Sequence, residues 1–293
     1  MAEQLAIDIQ DLTKSYGKSR GICHLDLQVE AGDFFGFIGP NGAGKSTTIR
    51  TLLGLIAPTS GSAKVLGHDI VEEKEKILKK VGYLPSEIHF YHGMKVRDAI
   101  RYSSDLRGAD CGKEAEELCQ RLDLDPGRKV DDLSLGNRKK VGIICAVQHH
   151  PEMLILDEPT SGLDPLMQKE FFTILREENE RGATIFFSSH ILSEVQAYCR
   201  SAAFIKDGKI LLSDKVGNLE QTGTRKVNVK GGIARETLTV LPGVTFTDTG
   251  ASTLSFLYNG DIGKLLFVLA QERIEDITIT EPSLEEIFMH YYK

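Results

Sequence analysis

The chain has 293 residues, enough for one large domain and a smaller one, and 41% are hydrophobic and 26% charged, as in ordinary globular proteins. A formal net charge of −7 argues against a general nucleic-acid binder. Five scattered cysteines without a C-x-x-C pair argue against a disulfide framework and a zinc site, and they indicate reduced thiols in a cytosolic protein.

Membrane-spanning and targeting segments are not expected from the sequence. No apolar run approaches the roughly 18–20 residues that a membrane helix needs. The first residues, Met-Ala-Glu-Gln, have neither a basic region nor an apolar stretch, so we expect no signal peptide. If the protein works at a membrane, we expect another chain to cross it.

The N-terminal segment, residues 5 to 38, alternates short apolar runs with turn residues. The runs 5–9 and 24–29 are typical of strands in a partly exposed antiparallel sheet. Tyr16 lies on the loop between them, where its ring could stack on a purine or simply occupy a surface turn. Its position in the sequence does not decide between these two interpretations.

The segment 39–47 fits G-x-x-x-x-G-K-[ST], the pattern of a phosphate-binding loop known as Walker A. A triphosphate is large and anionic, so the backbone must approach it closely, and glycines permit both the approach and a positive φ. Lys45 adds a positive charge near the β- and γ-phosphates, and the Ser46 hydroxyl is placed to bind Mg²⁺. The residues predicted to bind the nucleotide here are Gly39, Pro40, Asn41, Gly42, Ala43, Gly44, Lys45, Ser46 and Thr47.

The surrounding pattern predicts an α/β fold. A strand at 34–38 and a helix at 46–55 flank the loop, and a loop before a helix N-terminus favours anions. The apolar runs 153–156 and 184–187 predict buried strands of a mainly parallel sheet with right-handed crossovers. Together these features predict a P-loop NTPase core.

Two further regions are predicted beside this core. Helical spacing from 95 to 120 predicts a helical subdomain, about residues 87–150, with inward-facing Val96, Ile100, Tyr102 and Leu106. Beyond a composition shift at 213–224, strands near 227, 244 and 254–257 and helices near 264–268 and 284–288 predict a small α+β domain. We expect domain boundaries at 1–218 and 219–293.

A strand ending in Asp157 and Glu158 fits the Walker B pattern. Adjacent residues on a strand point to opposite sides, so the two carboxylates can have different roles. We expect Asp157 to hold Mg²⁺ and Glu158 to polarise the water that attacks the γ-phosphate. The alternative is a strand that merely ends at an acidic loop, but a phosphate-binding loop upstream favours the functional interpretation.

These two motifs, with Leu133-Ser-Leu-Gly-Asn137 between them, resemble the ATP-binding subunit of ABC transporters over about residues 5 to 215. The tail resembles an extension found on exporter-type subunits. The middle motif resembles the family signature Leu-Ser-Gly-Gly-Gln, with Leu135 and Asn137 as departures. The resemblance implies that Ser134 and Gly136 contact the γ-phosphate held by another subunit, and that Asn137, which keeps an amide at shorter reach, is an ATP-binding residue of the same segment. Two chains would then enclose two ATP molecules.

The resemblance also assigns roles to four residues outside these motifs. Tyr16 is at the position where the family stacks an aromatic ring on adenine, and Asp164 ends a loop resembling the one that crosses to the partner's site. His190 follows a strand, where the family places a γ-phosphate sensor; a structural histidine is the alternative. Ser86 replaces the family's usual glutamine, so its contact with Mg²⁺ is doubtful and hydrolysis could be less tightly coupled to transport.

Other charged and histidine-containing segments have simpler interpretations. Residues 138–140, Arg-Lys-Lys, are expected to form a solvated helix face rather than a nucleic-acid patch. The histidine pairs 89/92 and 149/150 lack companion ligands at a metal-site spacing.

The resemblance implies an ATP-hydrolysing subunit that uses ATP and Mg²⁺, forms a homodimer or pseudo-dimer, and drives a separate permease from the cytoplasmic face of a membrane, with export as the expected direction. It implies no nucleic-acid partner. One alternative is a non-transport ABC ATPase acting on the ribosome or another macromolecular complex. Another is a module that binds ATP without hydrolysing it, and a phosphate-release assay would distinguish it.

Overall fold

The computed structural model describes residues 4–17, 19–220, 224–239, 241–249, 253–282 and 286. The chain separates into two compact units, Met1–Ser213 and Asp214–Lys293. Among the described residues, no helix combines the length and apolar character that crossing a membrane requires.

The first ten strands form two sheets. One sheet has the order β2–β1–β4–β5 and the other the order β10–β9–β3–β8–β7–β6. The strands are β1 (Leu5–Tyr16), β2 (Ser19–Glu30), β3 (Phe34–Ile38), β4 (Ser60–Val65), β5 (His68–Asp69), β6 (Val81–Leu84), β7 (Met153–Asp157), β8 (Thr184–Ser189), β9 (Ser201–Lys206) and β10 (Lys209–Lys215).

The smaller sheet is antiparallel, as the sequence predicts. β1 pairs with both β2 and β4 in antiparallel register. Ile7 and Ile9 of β1 are buried while Gln10 and Asp11 are exposed. One face of the sheet therefore packs on the core, and the other face is partly solvated.

The larger sheet contains the parallel strands. β6, β7, β8, β3 and β9 pair in parallel in that order, and every residue of β3, β7 and β8 is buried. Runs of consecutive apolar residues suit strands that are covered on both faces. In register, Ile38 lies opposite Ser189 and Asp157 lies opposite Ser188, so the carboxyl ends of β3, β7 and β8 are neighbours.

The described residues of the first unit contain seven α-helices. They are α1 (Lys45–Leu52), α2 (Lys74–Lys80), α3 (Val96–Asp105), α4 (Gly112–Arg121), α5 (Leu135–Val147), α6 (Pro165–Glu180) and α7 (Leu192–Tyr198). A short 3₁₀ turn, Val130–Asp132, precedes α5. The helices α3 and α4, which pack on α5, form the predicted helical region.

The predicted inward face of α3 is half right. Val96 and Ile100 are buried, whereas Tyr102 is 45% exposed and Leu106, just beyond the helix, is 66% exposed. Residues two apart in a helix are about 200° apart around its axis, so Tyr102 cannot share the face of Ile100. Ser104, four residues after Ile100, is the buried residue instead.

The second unit contains a four-stranded antiparallel sheet in the order β12–β13–β11–β14 with its own buried core. Its elements are α8 (Val216–Glu220), β11 (Arg225–Gly231), α9 (Arg235–Thr239), β12 (Val244–Thr249), β13 (Thr253–Tyr258), α10 (Ile262–Leu269) and β14 (Ile274–Thr280). The predicted strands near 227, 244 and 254–257 and the helix near 264–268 are present. The helix predicted near 284–288 lies outside the described residues apart from residue 286.

Candidate functional site

The loop between β3 and α1 has the geometry of an anion cradle. Gly42 and Gly44 have φ of 79° and 114°, which residues with a Cβ rarely adopt. A Cβ on Gly39 would lie 2.4 Å from the carbonyl oxygen of Ile205. The glycines are therefore required by the backbone, and the loop leads directly into the N-terminus of α1, which carries a partial positive charge.

Lys45 is held inside this loop. Its side chain is 5% exposed, and its Nζ donates to the carbonyl oxygens of Gly39 at 2.6 Å and Pro40 at 3.2 Å. The same Nζ lies 3.0 Å from Oε1 of Glu158. That contact is an ion pair by distance, but it lacks the alignment of a hydrogen bond. Lys45 is thus a buried cation that already contacts three oxygen atoms.

A cavity of about 470 Å³ brings most of the predicted phosphate-binding loop together with residues from three other segments. Besides the loop and the start of α1, it is lined by Gly21, Ser86 and Glu158. A larger cavity of about 920 Å³ lies in the helical region beside α3 and α4, and no predicted site residue lines it. We assign the site to the smaller cavity because it contains the phosphate-binding loop.

Asp157 ends β7 and is fully buried. Its Oδ1 accepts a hydrogen bond of 2.8 Å from the Ser188 hydroxyl, whereas its Oδ2 has no hydrogen-bond partner among the described residues. A buried carboxylate oxygen without a partner is costly, unless a ligand or water meets it. This unpartnered oxygen fits the predicted role of Asp157 toward Mg²⁺, whose preferred ligands are oxygens.

Glu158 turns away from the strand, because its φ is 50°, in the left-handed region. Its backbone N–H donates to the carbonyl and hydroxyl oxygens of Ser188, both at 3.2 Å. Its carboxylate lies between two predicted functional groups, with Oε1 near Lys45 and Oε2 accepting from Nδ1 of His190 at 2.5 Å. The Glu158 carboxylate thus contacts both Lys45 and His190.

The signature segment lies at the N-terminus of α5. The Ser134 hydroxyl accepts from the Asn137 N–H at 3.3 Å and caps the helix. A Cβ on Gly136 would lie 2.6 Å from the Gly162 carbonyl oxygen, so the segment packs against the loop before α6. Leu135, the departure from the family form, is 63% exposed. Ser134, Gly136 and Asn137 do not line the cavity of their own chain.

Among the other predicted site residues, Asp164 and Tyr16 do not line this cavity, and neither do Gly39, Ala43, Asp157 or His190. Asp164 caps α6, and its Oδ1 accepts from the N–H groups of Leu166 and Met167 at 3.0 Å each. Tyr16, at the end of β1, is 47% exposed, and Nζ of Lys14 lies 5.4 Å from its ring centroid. Their predicted contacts with ATP remain predictions.

Two residues that contact the site, Ser188 and Lys139, were not among the predicted site residues. Ser188 bonds to both carboxylate residues, and its place at the carboxyl end of a parallel strand is a signal that could have revealed it. Lys139 was expected on a solvated face, but it is only 3% exposed and its Nζ donates to the Glu158 carbonyl oxygen at 3.1 Å. Burial lowers the pKa of Lys139 to about 8, although the charges of Asp157 and Glu158 oppose the shift.

A sequence profile described as ABC transporter matches residues 22–161. The bacitracin transport ATP-binding protein BcrA of Bacillus licheniformis is 34% identical over 293 aligned residues, which cover 97% of this chain and 96% of BcrA. The chain belongs to the ABC transporter ATP-binding proteins. The family resemblance drawn from the motifs is therefore confirmed.

Solved structures confirm the fold of this ABC protein. The structure described as the ATP-binding subunit of an ABC transporter matches with a TM-score of 0.69 at 27% identity and covers 74% of this chain and 92% of its own. The bacterial cassette MJ0796, solved as a dimer, matches with a TM-score of 0.66 at 23% identity over 72% of this chain and 98% of its own. Family membership makes this protein an ATP-binding ATPase.

Proposed function

We propose that this ABC protein hydrolyses ATP in the cavity beside its phosphate-binding loop, with Glu158 and His190 as the catalytic residues. The observation that carries the proposal is the position of the Glu158 carboxylate, 3.0 Å from Lys45 and 2.5 Å from His190. A carboxylate at this point can accept a proton from water that attacks the γ-phosphorus, while the bond to the β-phosphate oxygen breaks. Lys45 and the loop N–H groups stabilise the charge on the phosphates.

Nucleotide binding requires an exchange of partners by Lys45. Its ammonium group now contacts Gly39, Pro40 and Glu158, and three donors cannot serve these oxygens and phosphate oxygens equally well. An incoming triphosphate carries more negative charge than the Glu158 carboxylate. We infer that ATP draws Lys45 from Glu158, which frees the carboxylate to bind the attacking water.

The residues present fit a magnesium ion bound with the nucleotide. Ser46 at the start of α1 and the unpartnered Oδ2 of Asp157 would supply oxygen ligands, directly or through water. Ser86 also lines the cavity, but its short side chain makes it the weakest candidate. When bound, Mg²⁺ would neutralise charge on the β- and γ-phosphates.

A second copy of the chain would complete each site. The signature residues Ser134, Gly136 and Asn137 form a helix N-terminus that is exposed or half-buried and lies outside the cavity of its own chain. A helix N-terminus attracts anions, so we propose that this segment, with Asp164 nearby, contacts the nucleotide held by the partner. Tyr16 is proposed to stack on adenine.

The proposed cellular role is to drive a separate permease subunit from the cytoplasmic face of a membrane, in the direction of export. The support is that similarity to BcrA, named for bacitracin transport, covers 97% of this chain and so includes its tail. We propose residues 1–218 as the ATP-binding domain, with a helical subdomain at about 87–150, and residues 219–293 as an accessory α+β domain.

The test is nucleotide-dependent association of a hydrolysis-deficient variant. Purified Glu158→Gln protein is expected to sediment as a dimer with saturating MgATP and as a monomer without it. Glu158→Gln/Lys45→Ala protein is the control, and it should remain monomeric because the phosphate-binding loop lacks its cation. A Glu158→Gln protein that stays monomeric at saturating MgATP would contradict the shared-site proposal.

A further inference from the structure

Lys139 of α5 is a buried cation that contacts two segments of the ATP cavity. Its Nζ donates to the backbone carbonyl oxygens of Pro85 at 3.3 Å, Ser86 at 3.2 Å and Glu158 at 3.1 Å. A buried ammonium group is unfavourable unless its donors are satisfied. A lysine ammonium group has three N–H donors, and these three carbonyl oxygens satisfy all of them.

Lys139 donates to the backbone carbonyl of Glu158, and the backbone conformation of Glu158 sets the direction of its carboxylate. A φ of 50° places Glu158 in the left-handed region, which is unfavourable for a residue with a Cβ and persists only when its surroundings hold it. Ser188 accepts hydrogen bonds from the Glu158 N–H, and Lys139 donates to the Glu158 carbonyl. The residue is therefore held from both sides.

We infer that Lys139 is a positioning residue for ATP hydrolysis. It holds the Glu158 backbone and the 85–86 segment together, which keeps the Glu158 carboxylate beside Lys45 and His190. This inference rests on the proposed role of Glu158 in hydrolysis. Because Lys139 is absent from the lining of the cavity, its removal affects the aim of the carboxylate more than the binding of ATP.

The experiment replaces Lys139 in the full chain and separates turnover from binding. Lys139→Met keeps the length of the side chain and removes the donors, so kcat for phosphate release should fall about 10–100-fold, the effect of losing a charged hydrogen bond. The Kd for MgATP should stay within about threefold, because the phosphate-binding loop is intact. Lys139→Arg retains a cationic donor and should recover most of the lost turnover.

Lys140→Met is the matched control. Lys140 is the next residue of α5 and is 8% exposed, but it is not a donor to Pro85, Ser86 or Glu158. Its replacement removes the same charge and should leave kcat within about threefold of the parent. If Lys139→Met does not fold, as judged by thermal unfolding, Lys139→Gln is measured in its place.

The double variant Glu158→Gln/Lys139→Met distinguishes positioning from general destabilisation. If Lys139 acts through Glu158, the double variant should be no slower than Glu158→Gln alone. Parent-like kcat in Lys139→Met, a parallel loss of MgATP binding, or a further loss in the double variant would each overturn the inference. Parent-like turnover in Glu158→Gln would instead overturn the proposed role of Glu158.

Discussion

Glu158→Gln offers the sharpest test of the proposed chemistry. The change keeps the shape of the side chain but removes its charge and its capacity to accept a proton. Loss of a general base costs about 10²–10⁴-fold in rate, which is about 3–5 kcal/mol of activation free energy. The hydrogen bond to His190 can survive through the amide oxygen, so the site should keep its geometry.

The same change should strengthen ATP binding. Lys45 lies 3.0 Å from Glu158 Oε1, a separation at which two unit charges attract by about 5.5 kcal/mol at an effective dielectric constant of 20. Desolvation offsets most of this attraction. Replacing the charged carboxylate with a neutral amide should therefore weaken its net attraction for Lys45 by about 1 kcal/mol. Because ATP must break this contact to bind Lys45, the Kd for ATP should fall about fivefold.

Phosphate release and calorimetric titration with MgATP measure the two effects. Lys45→Ala is the control, because it should abolish tight binding whether or not Glu158 is charged. Turnover of Glu158→Gln within threefold of the parent would refute the role of the carboxylate. Weaker ATP binding by Glu158→Gln would refute the competition between Glu158 and phosphate for Lys45.

Three further predictions concern other parts of the ATP-binding unit. Ser86→Gln places a longer polar side chain in the cavity and should change the ATPase rate or its Mg²⁺ dependence several-fold; no change in either would exclude a special role for Ser86. Arg121 joins α4 to α6 through two hydrogen bonds to Glu177, so Arg121→Lys should lower the free energy of unfolding in urea by about 1 kcal/mol, and a parent-like value would contradict the importance of this pair. Burial lowers the pKa of His149 to about 4, below its unfolded value of 6.5, so its contribution to stability is present above pH 6.5 and is lost as the pH falls to 4. Thermal unfolding of His149→Gln should therefore depend less steeply on pH in this window; an unchanged slope would show that other groups cause it.

The best-predicted parts of the site are those that depend on short-range sequence patterns, such as the spacing of glycines between a strand and a helix. Segment 39–47 combines a fixed spacing of glycines with a strand before it and a helix after it, and the observed positive φ at Gly42 and Gly44 follows from the same requirement. The proximity of Glu158 and His190 could also be expected. Each follows a buried parallel strand, and the carboxyl ends of adjacent parallel strands share one edge of the sheet.

Burial that depends on distant contacts was not predictable from local pattern. Three consecutive basic residues, 138–140, occupy about 200° of a helix, so they cannot all face solvent when the helix packs on several sides. Lys139 turns inward and donates to the carbonyls of residues 85–86, more than fifty positions earlier in the chain. Hydrophobic periodicity follows only the recurrence of apolar residues. It therefore cannot reveal a buried lysine whose donors bond to backbone oxygens.

Two lysines hold Glu158 in complementary ways. Lys45 pairs with the carboxylate and is expected to leave when a triphosphate arrives, because the phosphates compete for the same charge. Lys139 bonds to the backbone carbonyl and has no such competitor, since it does not line the cavity. Binding of ATP can therefore release the side chain of Glu158 while its backbone stays fixed. A base that is freed without being moved needs little reorganisation before it acts, and this is the condition under which electrostatic preorganisation lowers a barrier most effectively.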